Sequence, residues 1–264
     1  MKNLGSGPLA FFGVGCGGSR SHTNAYFTRI QNGKRNLYFI DMSLLNVYNA
    51  MDLFASQMDT IGDIFIAVTH MHPDHASGVG ALSAFFATMF NKRLNIVVHP
   101  NLAQDLKDFF RITGEIESFY RLFTLDEHHH LICPDDFDSD EEKERICTEI
   151  MSAFKDVIPT WHDQLLEGKC FGFRCQAAAE SFVYTGDTGV WADFVPYIQP
   201  GDVLYVEARV ETGKRHLSWY DIYPEMVKLS KDHAIWFMHY TQEERLRNLV
   251  QNFDNIALAE PLQL

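Results

Sequence analysis

The chain has 264 residues, of which 46% are hydrophobic and 22% charged, with a formal net charge of −13 when histidine is neutral. This balance excludes a disordered or fibrous chain, and the length suits one large α/β domain or two small ones. So acidic a surface offers no general footprint for nucleic acid or anionic lipid, and no apolar run approaches the roughly 20 residues that span a bilayer.

Three short strands are expected first, at 8–13, 25–30 and 37–41, separated by turn clusters of Gly, Ser, Asn and Lys. The apolar but glycine-broken start reads as a strand entering a tight turn, not as a signal segment. A helix is expected at 44–56 and a buried strand at 64–69, followed by a histidine-rich loop and a helix at 76–90. A strand at 94–99 and a helix at 102–112 come next. Residues 113–150 read as an acidic insertion, with a strand-like 119–125, a solvated loop at His128, His129 and His130, and an acidic face at 135–144. Within it, Ser139 and Glu142 have the spacing of a short helix cap. Strands return at 154–161, 170–177 and 181–186, then a helix at 191–198, a strand at 203–208, a helix at 218–231, a strand at 234–239 and a helix at 242–253. Strands at the start of each half, with helices after them, suit two packed sheets covered by helices. With no linker in view, a single domain over 1–264 is expected.

Five cysteines, odd in number and without a CxxC pair, predict free thiols in a reducing cytosol. The glycines at 13, 15, 17 and 18 follow a strand but have neither the register nor the helix of a dinucleotide site.

The strongest signal is His70-Met71-His72-Pro73-Asp74-His75, between a buried strand and a helix. His70 and His72 alternate on an extended backbone and so project to one side. Asp74 and His75 then point from the loop and the first helical turn, so the four side chains can be split between two adjacent cations. Imidazole and carboxylate suit Zn, Mn or Fe. One loop cannot complete two metal sites. Downstream, His162, Asp187 and His239 each end an apolar strand, and an Asp at such a point can bridge two cations.

This ordered set resembles the metallo-β-lactamase superfamily over 8–239. The resemblance implies an α/β fold, an αββα sandwich of two mixed β-sheets flanked by helices, and two divalent cations, Zn foremost with Mn or Fe as alternatives. Carried over, one site holds His70, His72 and His162, the other holds Asp74, His75 and His239, and Asp187 bridges them. Asp41 matches the family's early aspartate, which braces the histidine loop. The implied chemistry is hydrolysis: a water between cations roughly 3.5–4 Å apart ionises near pH 7. Asp74 is on this basis a catalytic residue as well as a ligand.

Tyr184-Thr185-Gly186-Asp187-Thr188 resembles the phosphodiesterase branch that includes tRNase Z. Val206-Glu207-Ala208-Arg209 and His216-Leu217-Ser218 are similar to the Glu-Ala-Thr and His-Ser-Thr motifs of tRNase Z. On that match Glu207 orients His216, and His216 is the general acid. Arg209 and Leu217 depart from the pattern, and the loop between the motifs is short. Only 25 residues separate His162 from Asp187, room for a hairpin but not for the arm with which typical bacterial tRNase Z grips tRNA. Arm-less relatives of this branch cleave small cyclic phosphodiesters.

The expected substrate is therefore a small phosphodiester, cyclic nucleotides included, with no role for long nucleic acid or a membrane. The alternatives are a tRNase Z-like RNA 3′-end endonuclease, a lactone or thioester hydrolase on the same metals, and a nucleotide sensor without catalysis. Trp161, Trp219 and Tyr240 each neighbour a site residue and are candidates for stacking a base. The resemblance also suggests a homodimer, and a cytoplasmic location is expected.

Overall fold

The computed structural model describes residues 7–19, 21–31 and 33–263. Two sheets form its centre. The first has the order β1-β2-β3-β4-β5-β6-β7: β1 (Ala10–Gly13), β2 (Asn24–Gln31), β3 (Lys34–Ile40), β4 (Ile61–Ala67), β5 (Leu94–Val98), β6 (Tyr120–Leu125) and β7 (Leu131–Ile132). The second has the order β13-β12-β11-β10-β9-β8: β8 (Phe154–Thr160), β9 (Cys170–Gln176), β10 (Ser181–Tyr184), β11 (Val203–Glu207), β12 (Ile235–Met238) and β13 (Ile256–Leu258). Each is mixed, with β3 to β6 parallel in the first and β10 to β13 parallel in the second.

The period of two along β3 explains the layering. Tyr38 turns inward, stacking on Phe27 and Phe65 with centroids 4.7 and 4.8 Å away and meeting Phe154 of the other sheet. Phe39 turns outward onto Phe54 of α1 (Leu44–Phe54) and Phe86 of α3 (Val79–Phe90), with the short α2 (Pro73–Ala76) between those helices in the chain. Across the sandwich, Phe27 meets Phe182 at 5.2 Å and Phe11 meets Tyr205 at 5.5 Å. Further helices are α4 (Pro100–Thr113), α5 (Asp140–Ala153), α6 (Trp219–Leu229) and α7 (Glu243–Val250). Trp219 of α6 packs on Phe237 of β12, covering the second sheet. The expected αββα sandwich is the observed one. No helix among the described residues is long and apolar enough to cross a membrane.

Three local expectations need correction, and the 113–150 stretch shows its expected strand and Ser139 cap. The helix expected at 191–198 is a pair of 3₁₀ turns, Trp191–Asp193 and Val195–Tyr197, because Pro196 has no amide to continue an α-helix. The helix expected at 76–90 is divided at Ser77 and Gly78. Within 113–150, β6 and β7 extend the first sheet, and the acidic run enters α5, where Ser139 caps by accepting from the Glu142 amide at 3.2 Å. Asp140, Glu141 and Glu142 then suit the positive end of the helix dipole. Finally, Cys133 and Cys147 are joined as a disulfide, which the spacing gave no reason to expect, because it is the return of α5 that brings them together. Cys16, Cys170 and Cys175 are free and buried.

The parallel strands all deliver their C-terminal ends to one edge of the sandwich, and β8 runs in the same sense as β10 through the antiparallel β9. There the histidine loop crosses between the sheets: the Phe171 amide of β9 donates to the Thr69 carbonyl at 3.0 Å. Phe65 lies fully buried at one end of the aromatic stack, against Tyr38. Phe65→Ala should cost about 3–5 kcal/mol of stability, read as a lowered urea midpoint with an unchanged slope.

Candidate metal centre

The loop after β4 is held open by one buried carboxylate. Asp41, at the end of β3, accepts from the Thr69 amide and hydroxyl, both at 2.8 Å, and from His75 Nδ1–H at 2.7 Å. Its backbone is left-handed, φ 58°, which turns the side chain back under the loop. Met42 N donates to the His75 carbonyl at 2.7 Å and Gly78 N to the Met42 carbonyl at 2.9 Å, so both ends of the turn are pinned. Proline at 73 opens α2, leaving His72 extended and Asp74 and His75 in the first turn.

The second sheet supplies the opposing donors. His162 follows β8, Asp187 follows β10 through the left-handed Gly186 (φ 60°), and His239 follows β12 with its own backbone at φ 55°. Three groups have ligand atoms within 4.8 Å of one another: His70, His72, His162 and Asp187; Asp74, His75, Asp187 and His239; and Asp187, Glu207, His216 and His239. All seven residues expected to bind metal thus meet at one place, with Asp187 common to both halves.

The donor chemistry fits cations. His75 Nε2 and Asp187 Oδ1 are buried and without a hydrogen-bond partner, yet stand 3.4 Å apart. His70 Nε2 and His72 Nδ1 face each other at 3.1 Å. Lone pairs buried so close together call for a proton or a metal between them. His162 Nδ1–H donates to the Arg215 carbonyl at 2.7 Å, which turns its Nε2 toward Asp187, 3.7 Å away.

The charges are strongly coupled. Burial acts to raise the Asp187 carboxyl, but the charges of His239 and His75 outweigh it and hold it well below the usual range. Burial likewise acts to lower His239, but Asp187, Asp74 and Glu207 push it up to about 9. His75 is driven well above its ordinary value against burial, by Asp187 and Asp41. His70 is lowered by burial and by the neighbouring His75.

Glu207 and His216 are paired, Nδ1 to Oε2, at 2.7 Å. The other Glu207 oxygen accepts from the amides of Thr188 at 2.5 Å and Leu217 at 3.3 Å. Burial acts to raise this carboxyl, but its hydrogen bonds with His216 and His239 leave it lowered. With Nδ1 committed to Glu207, His216 keeps Nε2 free of that pair, and the residue lines the adjoining cleft.

Two of the three aromatic expectations fail. Trp219 is packed among Tyr223, Phe237 and Phe253, and the buried Tyr240 donates its hydroxyl to the Ala259 carbonyl at 2.9 Å, so neither ring face is free for a base. Trp161 is half-buried against Gly189. The His128–His130 turn is exposed and organised by Asp126, whose side chain accepts from both of those amides.

One support had no sequence signal, while the glycine turn stands where the resemblance implies, flanking the site. Asn24 donates to the Asp74 carbonyl at 3.0 Å while accepting from Ser43 N at 3.0 Å and Asn46 Nδ2 at 2.7 Å. Gly17 lies over Asp74, where a Cβ would sit 3.1 Å from its carboxylate. The glycine turn that failed as a nucleotide motif serves as this close approach.

Comparisons with known proteins agree with this geometry. Residues 54–246 match the family model described as the beta-lactamase superfamily domain. A search of curated proteins finds no significant match. Among solved structures, the metallo-β-lactamase fold protein YhfI from Bacillus subtilis is 14% identical, with TM-score 0.65 and coverage of 96% of this chain and 95% of that one. A diphosphatase from the PhnP family is 18% identical, with TM-score 0.64 and 97% coverage of each chain. The short form of human tRNase Z is 15% identical, with TM-score 0.59 and 96% coverage of each. With this match over most of its length and the shared fold, the chain belongs to the metallo-β-lactamase superfamily.

Proposed function

We propose that the protein is a dinuclear metal-dependent phosphodiesterase acting on a small phosphodiester, cyclic nucleotides included. The observation that carries this reading is the Glu207–His216 pair, 2.7 Å apart and set directly against the two donor clusters. A hydrolase that needed only an activated water would have no use for a carboxylate-oriented imidazole there. Two proteins of similar fold are a diphosphatase and a tRNase Z by name, both acting at phosphorus.

In this reading His70, His72 and His162 hold one cation, Asp74, His75 and His239 hold the other, and Asp187 is shared. Zn is the first choice for such ligands, with Mn or Fe as alternatives. When bound, the cations supply Lewis acidity toward phosphoryl oxygens and lower the pKa of water. The residues of the chain do the rest. Glu207 holds the Nδ1 proton of His216, which fixes the ring and leaves Nε2 as its other nitrogen. His216 Nε2–H then donates to the departing oxygen as the ester bond breaks. Asp74, in the donor group that shares Asp187 but not His162, would help orient the attacking water.

A long RNA is the weaker reading. The stretch from His162 to Asp187 is filled by the β9–β10 hairpin, and the net charge of −13 opposes a polyanion. No observation favours lactone or thioester hydrolysis.

The direct test is turnover by metal-loaded protein on cyclic mononucleotides, bis-p-nitrophenyl phosphate, a precursor tRNA and a homoserine lactone. Cyclic phosphate cleavage is expected; activity confined to the lactone would sink the proposal. His216→Ala should lower kcat by about 10²–10⁴ for an alkoxide leaving group. The loss should be much smaller for p-nitrophenolate, which needs no proton to depart. Equal losses on both substrates would remove the general-acid role.

Asp41→Asn should weaken cation binding about 10–100-fold through the misoriented His75, measured by chelator competition with circular dichroism unchanged. The raised His75 and His239, the latter at about 9, carry protons at neutral pH before cations bind. Cation uptake must displace those protons, so affinity should fall as pH drops below about 9. Calorimetry at pH 7 in buffers of different ionisation heats should register proton release, and none would contradict this charge assignment.

A further inference from the structure

Three donor groups meet at Asp187, and two cations account for only two of them. The third joins Asp187 to Glu207, His216 and His239, again with ligand atoms within 4.8 Å of one another. Within it His239 is divided. Its Nε2 faces Asp74 at 3.4 Å, while its Nδ1 lies 3.3 Å from Glu207 Oε2 and 3.2 Å from Asp187 Oδ1. A neutral imidazole offers one lone pair, so a His239 committed at Nε2 can only donate from Nδ1–H. Three donors then converge on the remaining spot: Glu207 Oε2, His216 Nδ1 and an Asp187 oxygen.

Their spacing brackets that of a tetrahedral ion. Bonds of about 2.0–2.1 Å to nitrogen and oxygen set neighbouring donors roughly 3.3 Å apart. His216 Nδ1 stands 2.7 Å from Glu207 Oε2 and 4.0 Å from Asp187 Oδ2. Glu207 is anchored from behind, since its other oxygen accepts from the Thr188 and Leu217 amides. The carboxylate therefore stays in place when Oε2 changes partner. Access is through His216, whose side chain is 16% exposed while those of Glu207, Asp187 and His239 are almost fully buried. A water from that side can complete the coordination.

We propose that Glu207, His216 and Asp187 form a third cation site, weaker than the other two, whose filling switches the protein off. The binding follows from the donors alone; the inhibition rests on the phosphodiesterase reading and gives that site a regulator. The ion takes the lone pair of His216 Nδ1 and the Oε2 charge of Glu207, and the proton they shared leaves to solvent. With Nδ1 held by a cation, giving up the Nε2 proton would leave an imidazolate behind, so the ring no longer serves the departing oxygen. Repulsion from two cations on the shared Asp187 makes this site the last to fill. One atom pair thus holds either the proton that catalysis needs or a surplus metal ion.

The experiment is equilibrium dialysis against buffered free Zn, from about 1 nM to about 100 µM, with bound metal counted by mass spectrometry. A third equivalent should enter at free Zn about 100-fold or more above that which fills the first two. His216→Ala and Glu207→Gln should each keep two equivalents and lose the third; glutamine retains an oxygen for the Thr188 and Leu217 amides. His128→Ala combined with His130→Ala, which strips the exposed histidine turn, should keep all three. Over the same range kcat on a cyclic mononucleotide should fall by about 10²–10⁴, and the residual rate of His216→Ala should not respond. Two equivalents at every concentration, a third that survives both site variants, or a third lost with the exposed turn would overturn the proposal. A third equivalent without loss of rate would overturn the switch. Failure to cleave any phosphodiester would defeat the diesterase reading and the inhibition with it, while the dialysis would still decide the site.

Discussion

A single buried carboxylate organises the site. Asp187 is 3% exposed, with His70, His75, His162, His216 and His239 all within 4.0 Å of its oxygens. Removing an isolated carboxylate from water costs several kcal/mol, so Asp187 is stable only where positive charge surrounds it. That condition explains the crowding of imidazoles, and it explains why two more buried carboxylates stand behind them. Asp41 and Glu207 each receive backbone amides on one side and an imidazole on the other. Backbone donors at strand ends let these anions be buried without spending the histidines' inward-facing nitrogens.

The fold meets this demand by bringing strand ends together. A mixed sheet whose parallel strands share an edge provides a row of chain termini where side chains can point outward from the layer. The two sheets are locked face to face by aromatic contacts such as Phe27 to Phe182, so donors on opposite sheets keep their spacing. The turns themselves are strained. Asp41 and His239 are non-glycine residues with positive φ, a conformation that costs of order 1–3 kcal/mol and persists only where surrounding bonds enforce it. The turned side chain of Asp41 reaches Thr69 and His75, and that of His239 reaches Asp187.

What could be read in advance follows from this arrangement. Four of the donors lie within six consecutive residues, and the spacing from His70 to His75 announces itself. His162, Asp187 and His239 were legible because each ends an apolar run, which marks a strand and therefore an edge. Glu207 and His216 were legible only as a resemblance between motifs. The supports were not, because backbone does that work: the Arg215 carbonyl on His162 and the Thr188 amide on Glu207 leave no trace in residue type. Asn24, 50 residues from the Asp74 it supports, illustrates the same limit for side chains. Trp219 misled for the opposite reason. Its neighbourhood in sequence is the site, but the first turn of α6 rotates its ring into the apolar layer over Phe237. The Cys133–Cys147 pairing depended on the path of α5, which spacing alone does not reveal.

Size selection under the proposed reading follows from distance rather than contact. Charges on an exposed surface interact over a screening length of about 8–10 Å at moderate salt. A long polyanion lying on this protein would meet the acidic surface along most of its length, and every phosphate beyond the cleft would add repulsion. A compact phosphodiester held at His216 would lie within reach of the site's own cations and beyond reach of most of the surface. The same net charge that opposes a long nucleic acid therefore does little against a small anion held at the metal centre.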